Sequence, residues 1–147
     1  MKKRVDHAIE SFQHTFSCSQ AVLSTFGPDL GLERKLALRV AGAFGGGMAR
    51  MGETCGAVTG ALMVIGLKWG KTEAQDDKAK EKTYEYARQF VNRFLQKHGS
   101  ITCRELLTFD IGTPEGQKRF KEENCLAARC TAFVRDAVSI LEQILNE

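Results

Sequence analysis

Proline is scarce in this sequence. Two occur in 147 residues, Pro28 and Pro114, and both sit in turn-like settings, so little interrupts long stretches of helix. Alternating β-branched runs are also few, which argues against sheet. No apolar run is long enough to cross a bilayer. The longest, Ala57 to Leu67, is broken by Thr59, Gly60 and Gly66, whereas a span needs about 20 apolar residues. No apolar signal region follows the basic start Met1-Lys2-Lys3-Arg4, so a cytoplasmic protein is expected. Charge of one sign does not accumulate. Lys and Arg number 21 and Asp and Glu 18, a net charge of +3, and the signs are interspersed, as in Glu81, Lys82, Glu85 and Arg88. That leaves no basic stripe for nucleic acid. No Ser-His-Asp set or paired-carboxylate site is discernible, so hydrolase chemistry has no support.

What is present suits one globular domain spanning 1–147. A chain of this length can bury a core without staples. Its 43% hydrophobic and 27% charged content excludes disordered and fibrous classes. Apolar residues recur at helical spacing throughout. Val5, Ala8, Ile9, Phe12 and Phe16 mark a first helix, and Cys18 to Phe26 a second, capped by Ser17 and stopped at Gly27-Pro28. Leu36, Leu38, Val40, Ala41 and Phe44 mark a third, and Thr54 to Leu67 a fourth. Tyr84, Ala87, Phe90, Val91, Phe94 and Leu95 form the apolar face of a long helix opened by Asp76 or Asp77 and closed by His98-Gly99. Ser100 is read as the cap of a short helix, and Thr113-Pro114-Glu115 as another start. Phe133, Val134, Ala137, Ile140, Leu141 and Ile144 give the last helix a clean 3.6-residue stripe. The expected architecture is all-α, with about seven helices whose N-termini converge on a cysteine cluster.

Four of the five cysteines fall at helix starts. Cys18 follows Ser17, Cys55 follows Thr54, Cys103 lies in the first turn after Ser100, and Cys125 follows Asn124. Cys130 comes about a turn and a half later. First-turn N–H groups and the positive end of the helix dipole stabilise a thiolate there. Converging starts would suit an iron–sulfur cluster, a tetrahedral zinc ion, or dithiol/disulfide pairs. No CxxC occurs, which excludes thioredoxin-like and ferredoxin-like spacings. Cys125 and Cys130 would stand about 140° apart around an α-helix. One of them is therefore expected in the cluster, the other spare or acting as a resolving thiol. His14, one turn before Cys18, is a candidate base or ligand, although a solvated histidine is the simpler reading. His7 and His98 read as surface residues.

Glycines crowd the same region: Gly42, Gly45, Gly46, Gly47, Gly52, Gly56 and Gly60. No Gly-Lys-Ser/Thr follows them, so this is not a P-loop. The four-residue spacing of Gly56 and Gly60 suits close helix packing. Gly45, Gly46, Gly47 and Gly56 could also let backbone wrap a cofactor and offer N–H groups to sulfur.

Four stretches carry a resemblance: Cys18-Ser19-Gln20-Ala21-Val22-Leu23, Gly45-Gly46-Gly47-Met48, Thr54-Cys55-Gly56-Ala57-Val58-Thr59-Gly60-Ala61-Leu62 and Cys103-Arg104-Glu105-Leu106-Leu107. With Cys130, Val134, Ala137, Leu141 and Leu145 they resemble the bacterial and archaeal C_GCAxxG_C_C family, described as redox-active proteins. The resemblance implies four key cysteines, Cys18, Cys55, Cys103 and Cys130, with Cys125 an extra that could substitute for Cys130. Two chemistries are carried forward. One is a metal or iron–sulfur centre held by those four. The other is thiol/disulfide exchange with Cys55 as nucleophile and Cys18, Cys103 or Cys130 resolving. The alternative is a non-catalytic helical binding module with buried cysteines. A redox partner is implied, a homodimer is left open, and so is whether the chain is an enzyme.

Overall fold

The computed structural model describes residues 2–147, apart from the side chains of Lys2 and His14; the reading of His14 as a base or ligand therefore lies outside the described residues. Eight α-helices carry the fold: α1 (Lys2–His14), α2 (Cys18–Phe26), α3 (Arg34–Val40), α4 (Gly56–Trp69), α5 (Asp77–His98), α6 (Cys103–Leu107), α7 (Pro114–Glu122) and α8 (Thr131–Leu145). A 3₁₀ turn at Pro28–Leu30 follows α2, and a π-turn at Leu126–Cys130 leads into α8. The all-α expectation holds. Among the described residues the one extended pairing is an isolated antiparallel bridge, Thr54 with Thr102.

The core forms around α4. Its sequence is apolar on nearly every side, as a helix surrounded by others must be, and it packs against α2, α5 and α8. Small residues set the closest of these contacts. A Cβ on Gly60 would lie 2.9 Å from the Ser19 carbonyl oxygen of α2, so α2 and α4 meet at backbone distance, as the glycine spacing predicts. Around that seam Phe26, Leu23, Val58, Ile65, Phe90 and Phe94 are fully buried, each contributing about 1.5–3 kcal/mol of hydrophobic stabilisation. The stripe on α8 is buried over its whole length, Phe133 to Ile144.

Several local expectations are corrected. α3 ends at Val40 and buries Ala37, with Ala41 following, whereas Leu36 and Val40 are exposed. Alanines let α3 lie close on α2, and the larger side chains fall on the outer face. Tyr84 is half exposed, and Tyr86 instead stacks on Trp69 with ring centroids 4.1 Å apart. His98 is no free surface residue. Its Nε2 lies 2.8 Å from Asp136 Oδ2, and its ring packs between Phe94 and Phe133. This contact ties the end of α5, just before the segment that carries Cys103, to α8.

Candidate redox site

Three helix starts converge on one place. Cys18 is the first residue of α2, behind a capping box in which Ser17 accepts from the Gln20 N–H and Gln20 Oε1 accepts from the Ser17 N–H. Cys55 is itself the N-cap of α4, which begins at Gly56, two residues after the start expected at Thr54. Cys103 opens α6, capped by Thr102 rather than Ser100. Ser100 supports the cap by accepting from the Thr102 N–H. Thr54 and Thr102 pair with each other in the bridge, and Thr102 keeps its capping role as well. The bridge also zips the two cysteine segments together: Cys55 N–H donates to the Ile101 carbonyl at 2.7 Å, and Cys103 N–H to the Glu53 carbonyl at 2.7 Å.

Glycines make this convergence sterically feasible. At Gly45 a Cβ would meet Ser17 Cβ at 2.7 Å, at Gly56 it would meet Cys18 Cβ at 3.2 Å, and at Gly47 it would meet Cys103 Cβ and Glu53 N, each at 2.7 Å. At Gly46 the neighbours are Arg50 and Ile111. In all four places the space a side chain would fill is taken by the protein itself. The segment between them is unusual. Gly45–Met48 closes one turn, but Gly46 and Gly47 have φ of 67° and 70°. Met48, Ala49 and Arg50 follow at φ of 67°, 55° and 63°. Five consecutive residues thus trace a left-handed turn. For the three that carry a Cβ this costs roughly 1–2 kcal/mol each, and such strain persists only where the surroundings enforce it. Here the Glu53 and Gly52 N–H groups donate back to the Gly47 and Gly46 carbonyls. Arg104 fixes the far side by donating to the Met51 carbonyl at 2.9 Å. The Gly-Gly-Gly run signals part of this turn, but nothing in Met48-Ala49-Arg50 announces it.

Cys55, Cys103 and Cys130 are buried, at 4%, 9% and 7% exposure, and Cys18 is partly exposed. All five cysteines are free thiols. Their electrostatics are unequal. Interaction between the Cys18 and Cys55 side chains holds the Cys55 pKa below its ordinary value and drives that of Cys18 well above. Burial opposes ionisation of Cys55. The N–H groups of Ala57 and Val58, in the first turn of α4, favour its anion, without closing a strict capping bond. Cys103 and Cys130 are pushed up to about 12, first by burial and next by the charge on Cys55. Cys18 feels Cys55, Cys130 and Cys103. Each of these four cysteines thus feels another of them, and Cys55 is the one whose anion is favoured.

Cys130 arrives by a route that α-helical geometry does not provide. The Thr131 N–H reaches the Leu126 carbonyl, five residues back. In such a π-turn, residues five apart stack on one face as residues four apart do in an α-helix. The 140° separation of Cys125 and Cys130 is thereby removed. Cys125, 1% exposed, acts on Cys130 but not on Cys18, Cys55 or Cys103.

The alkaline behaviour follows with a definite sign. Thiols whose pKa rises from 9.0 to about 12 on folding leave the unfolded chain binding fewer protons between those values, so stability falls as pH rises. Each thiol contributes about 1.4 kcal/mol per pH unit in that window. Urea unfolding of the reduced protein should show a loss of about 2 kcal/mol or more from pH 9 to pH 11, reduced in Cys103→Ala/Cys130→Ala to the share that Cys18 still carries. An equal loss in that double variant would contradict the assignment.

Residues 16–144 match the family described as "Putative redox-active protein (C_GCAxxG_C_C)". The chain belongs to that family. The C_GCAxxG_C_C match takes in all five cysteines, the glycine turn and most of α8. No curated protein and no solved structure matches the chain. Among the described residues no helix is long and apolar enough to cross a membrane. The thiol donor set of this C_GCAxxG_C_C protein is compatible with zinc or an iron–sulfur cluster. Its arrangement is not that of a formed ligand set: no three described His, Cys, Asp or Glu side chains stand together as a metal-holding group.

Proposed function

We propose that this C_GCAxxG_C_C protein is a thiol–disulfide redox protein whose working pair is Cys55 and Cys18. The observation that carries the reading is the Cys18 thiol set against the Cys55 sulfur at the start of α4. Nucleophile and resolving thiol then influence each other's ionisation directly. Cys55 thiolate attacks one sulfur of a partner disulfide. That S–S bond breaks, a mixed disulfide forms on Cys55, and the departing partner sulfur takes up a proton. Cys18 gives up its proton and attacks Cys55 Sγ, and the second partner sulfur leaves as a thiol. Counting the proton that Cys55 released on ionising, the protein loses two electrons and two protons, and the partner disulfide gains both. Cys18 is the one cysteine not fully buried, so the partner approaches from its side. In the cytoplasm the glutathione pool would keep the pair reduced between encounters.

The four-thiol donor set of Cys18, Cys55, Cys103 and Cys130 is compatible with a second reading, in which the four close on a soft metal. One experiment separates them. The anaerobically purified chain is analysed for metal, then mixed with glutathione disulfide, quenched in acid with alkylating reagent and mapped by mass spectrometry. The first disulfide should join tryptic peptides 5–34 and 51–68, which hold Cys18 and Cys55. Stoichiometric metal would favour the second reading. No metal and no oxidised pair would leave buried packing cysteines in a helical binding module.

A further inference from the structure

We propose that Cys125 and Cys130 form a second redox pair, which draws the disulfide from Cys18–Cys55 toward the opposite end of the cysteine row. This rests on the reading of Cys18–Cys55 as the primary pair. Two features set the arrangement up. The π-turn stacks Cys125 and Cys130 on one face, and Cys130 in turn lies in the field of Cys55, Cys103 and Cys125. Cys130 is thus acted on by both Cys55 and Cys125, and Cys125 acts on none of Cys18, Cys55 and Cys103. The same turn carries a cation for both thiols. Arg129 favours the anion of each and is anchored by a 2.7 Å hydrogen bond from Nη1 to the Leu107 carbonyl at the end of α6. A π-turn is a costly interruption of a helix, and its most direct consequence here is the alignment of these two sulfurs.

The transfer balances without an outside reagent. Cys130, as thiolate, attacks Cys55 Sγ of the Cys18–Cys55 disulfide. The Cys55–Cys130 bond forms, and Cys18 leaves and is protonated. Cys125, as thiolate, then attacks Cys130 Sγ. The Cys125–Cys130 bond forms and Cys55 leaves. The two protons released by Cys130 and Cys125 end on Cys18 and Cys55, and no electrons enter or leave the chain. Cys55, the sulfur whose anion the protein stabilises best, is the leaving group of the second step, which favours release. The oxidised pair then lies beneath the exposed stretch Asn124, Leu126, Ala127 and Ala128, and Cys18–Cys55 is free to accept a second oxidation.

The test uses the full chain. Trypsin cuts after Lys121, Arg129 and Arg135, so Cys125 and Cys130 fall in separate peptides, 122–129 and 130–135. A disulfide between them appears as a linked pair. Oxidation of the reduced wild type by glutathione disulfide should give the Cys18–Cys55 link first and the 122–129/130–135 link later. The end point should leave one free thiol, on Cys103. Cys125→Ala should stop with two free thiols, and Cys55→Ser should not form the later link. Circular dichroism and a Cys125→Ser variant guard against misfolding. A Cys125 that stays reduced while Cys18–Cys55 forms would overturn the relay and leave the primary reading standing. So would a Cys125–Cys130 link that forms equally fast in Cys55→Ser, because oxidation would then bypass Cys55. No link between Cys18 and Cys55 in any sample would overturn both.

Discussion

Gly47→Ala should lower stability by about 3 kcal/mol or more. Two costs add at that position. Its φ of 70° is disfavoured for any residue with a Cβ, by roughly 1–2 kcal/mol. The new methyl would also lie 2.7 Å from Cys103 Cβ and 2.7 Å from the Glu53 nitrogen, and overpacking of this kind costs about 1–3 kcal/mol. Neither neighbour can yield cheaply. The Glu53 N–H donates to the Gly47 carbonyl, and the Glu53 carbonyl accepts from the Cys103 N–H at 2.7 Å, so moving Glu53 opens the zip between the two cysteine segments. Reversible urea unfolding of the reduced proteins measures the effect. Gly31→Ala is the control, since its φ is also positive, at 90°, with nothing within 4 Å of an added Cβ. It should cost only the conformational share. Equal losses at Gly31 and Gly47 would mean that the cradle around Cys103 is not tightly built.

Cys55→Ser should abolish the disulfide with Cys18 and reverse the reactivity of the remaining thiols. Cys55 is the sulfur whose anion is favoured, and its charge helps hold protons on Cys18, Cys103 and Cys130. Removing it should cut oxidation by glutathione disulfide at pH 6 by about tenfold or more, since each unit of pKa is a tenfold change in thiolate. Above pH 8, Cys18 should become more reactive than in the wild type, because its principal suppressor is gone. It would then hold a single glutathione adduct that nothing resolves. Intact-mass spectrometry reads this directly as one added glutathione per chain, against an intramolecular disulfide in the wild type. Cys18→Ser supplies the reciprocal result, with the adduct on Cys55. An unchanged disulfide yield in Cys55→Ser would move the working pair to other cysteines.

Much of the fold was legible because most of its helices bury one stripe. On α8 the positions from Phe133 to Ile144 repeat at the helical period, and the structure buries all of them. The site was legible for a related reason. Ser17 is a good cap, and a cysteine next to a cap lies at a helix start whatever the tertiary fold. Three features were hidden, each where backbone geometry departs from the regular helix that pattern reading assumes. The left-handed turn at Gly46–Arg50 reverses handedness through three residues that carry side chains, and only the packing of Glu53, Cys103 and Arg104 against it explains why. The π-turn changes the angle per residue, so spacing between Cys125 and Cys130 could not be read as on an α-helix. The bridge between Thr54 and Thr102, 48 residues apart in sequence, joins the two cysteine segments with no local sign of it. His98, read as a surface residue, is held by Asp136, whose distance along the chain gives no local sign of the contact.

The central claim is that a single sulfur, Cys55, is held as the readily ionised member of the row and is partnered by Cys18. Thiolate absorbance near 240 nm, followed anaerobically against pH on the reduced chain, tests it most directly. One thiolate should titrate below the ordinary cysteine value of about 8.5. Two more, Cys103 and Cys130, should titrate near 12, and the low step should vanish in Cys55→Ser and move upward in Cys18→Ser. Five thiols that all titrate above about 8.5, or a low step that survives in Cys55→Ser, would contradict the account.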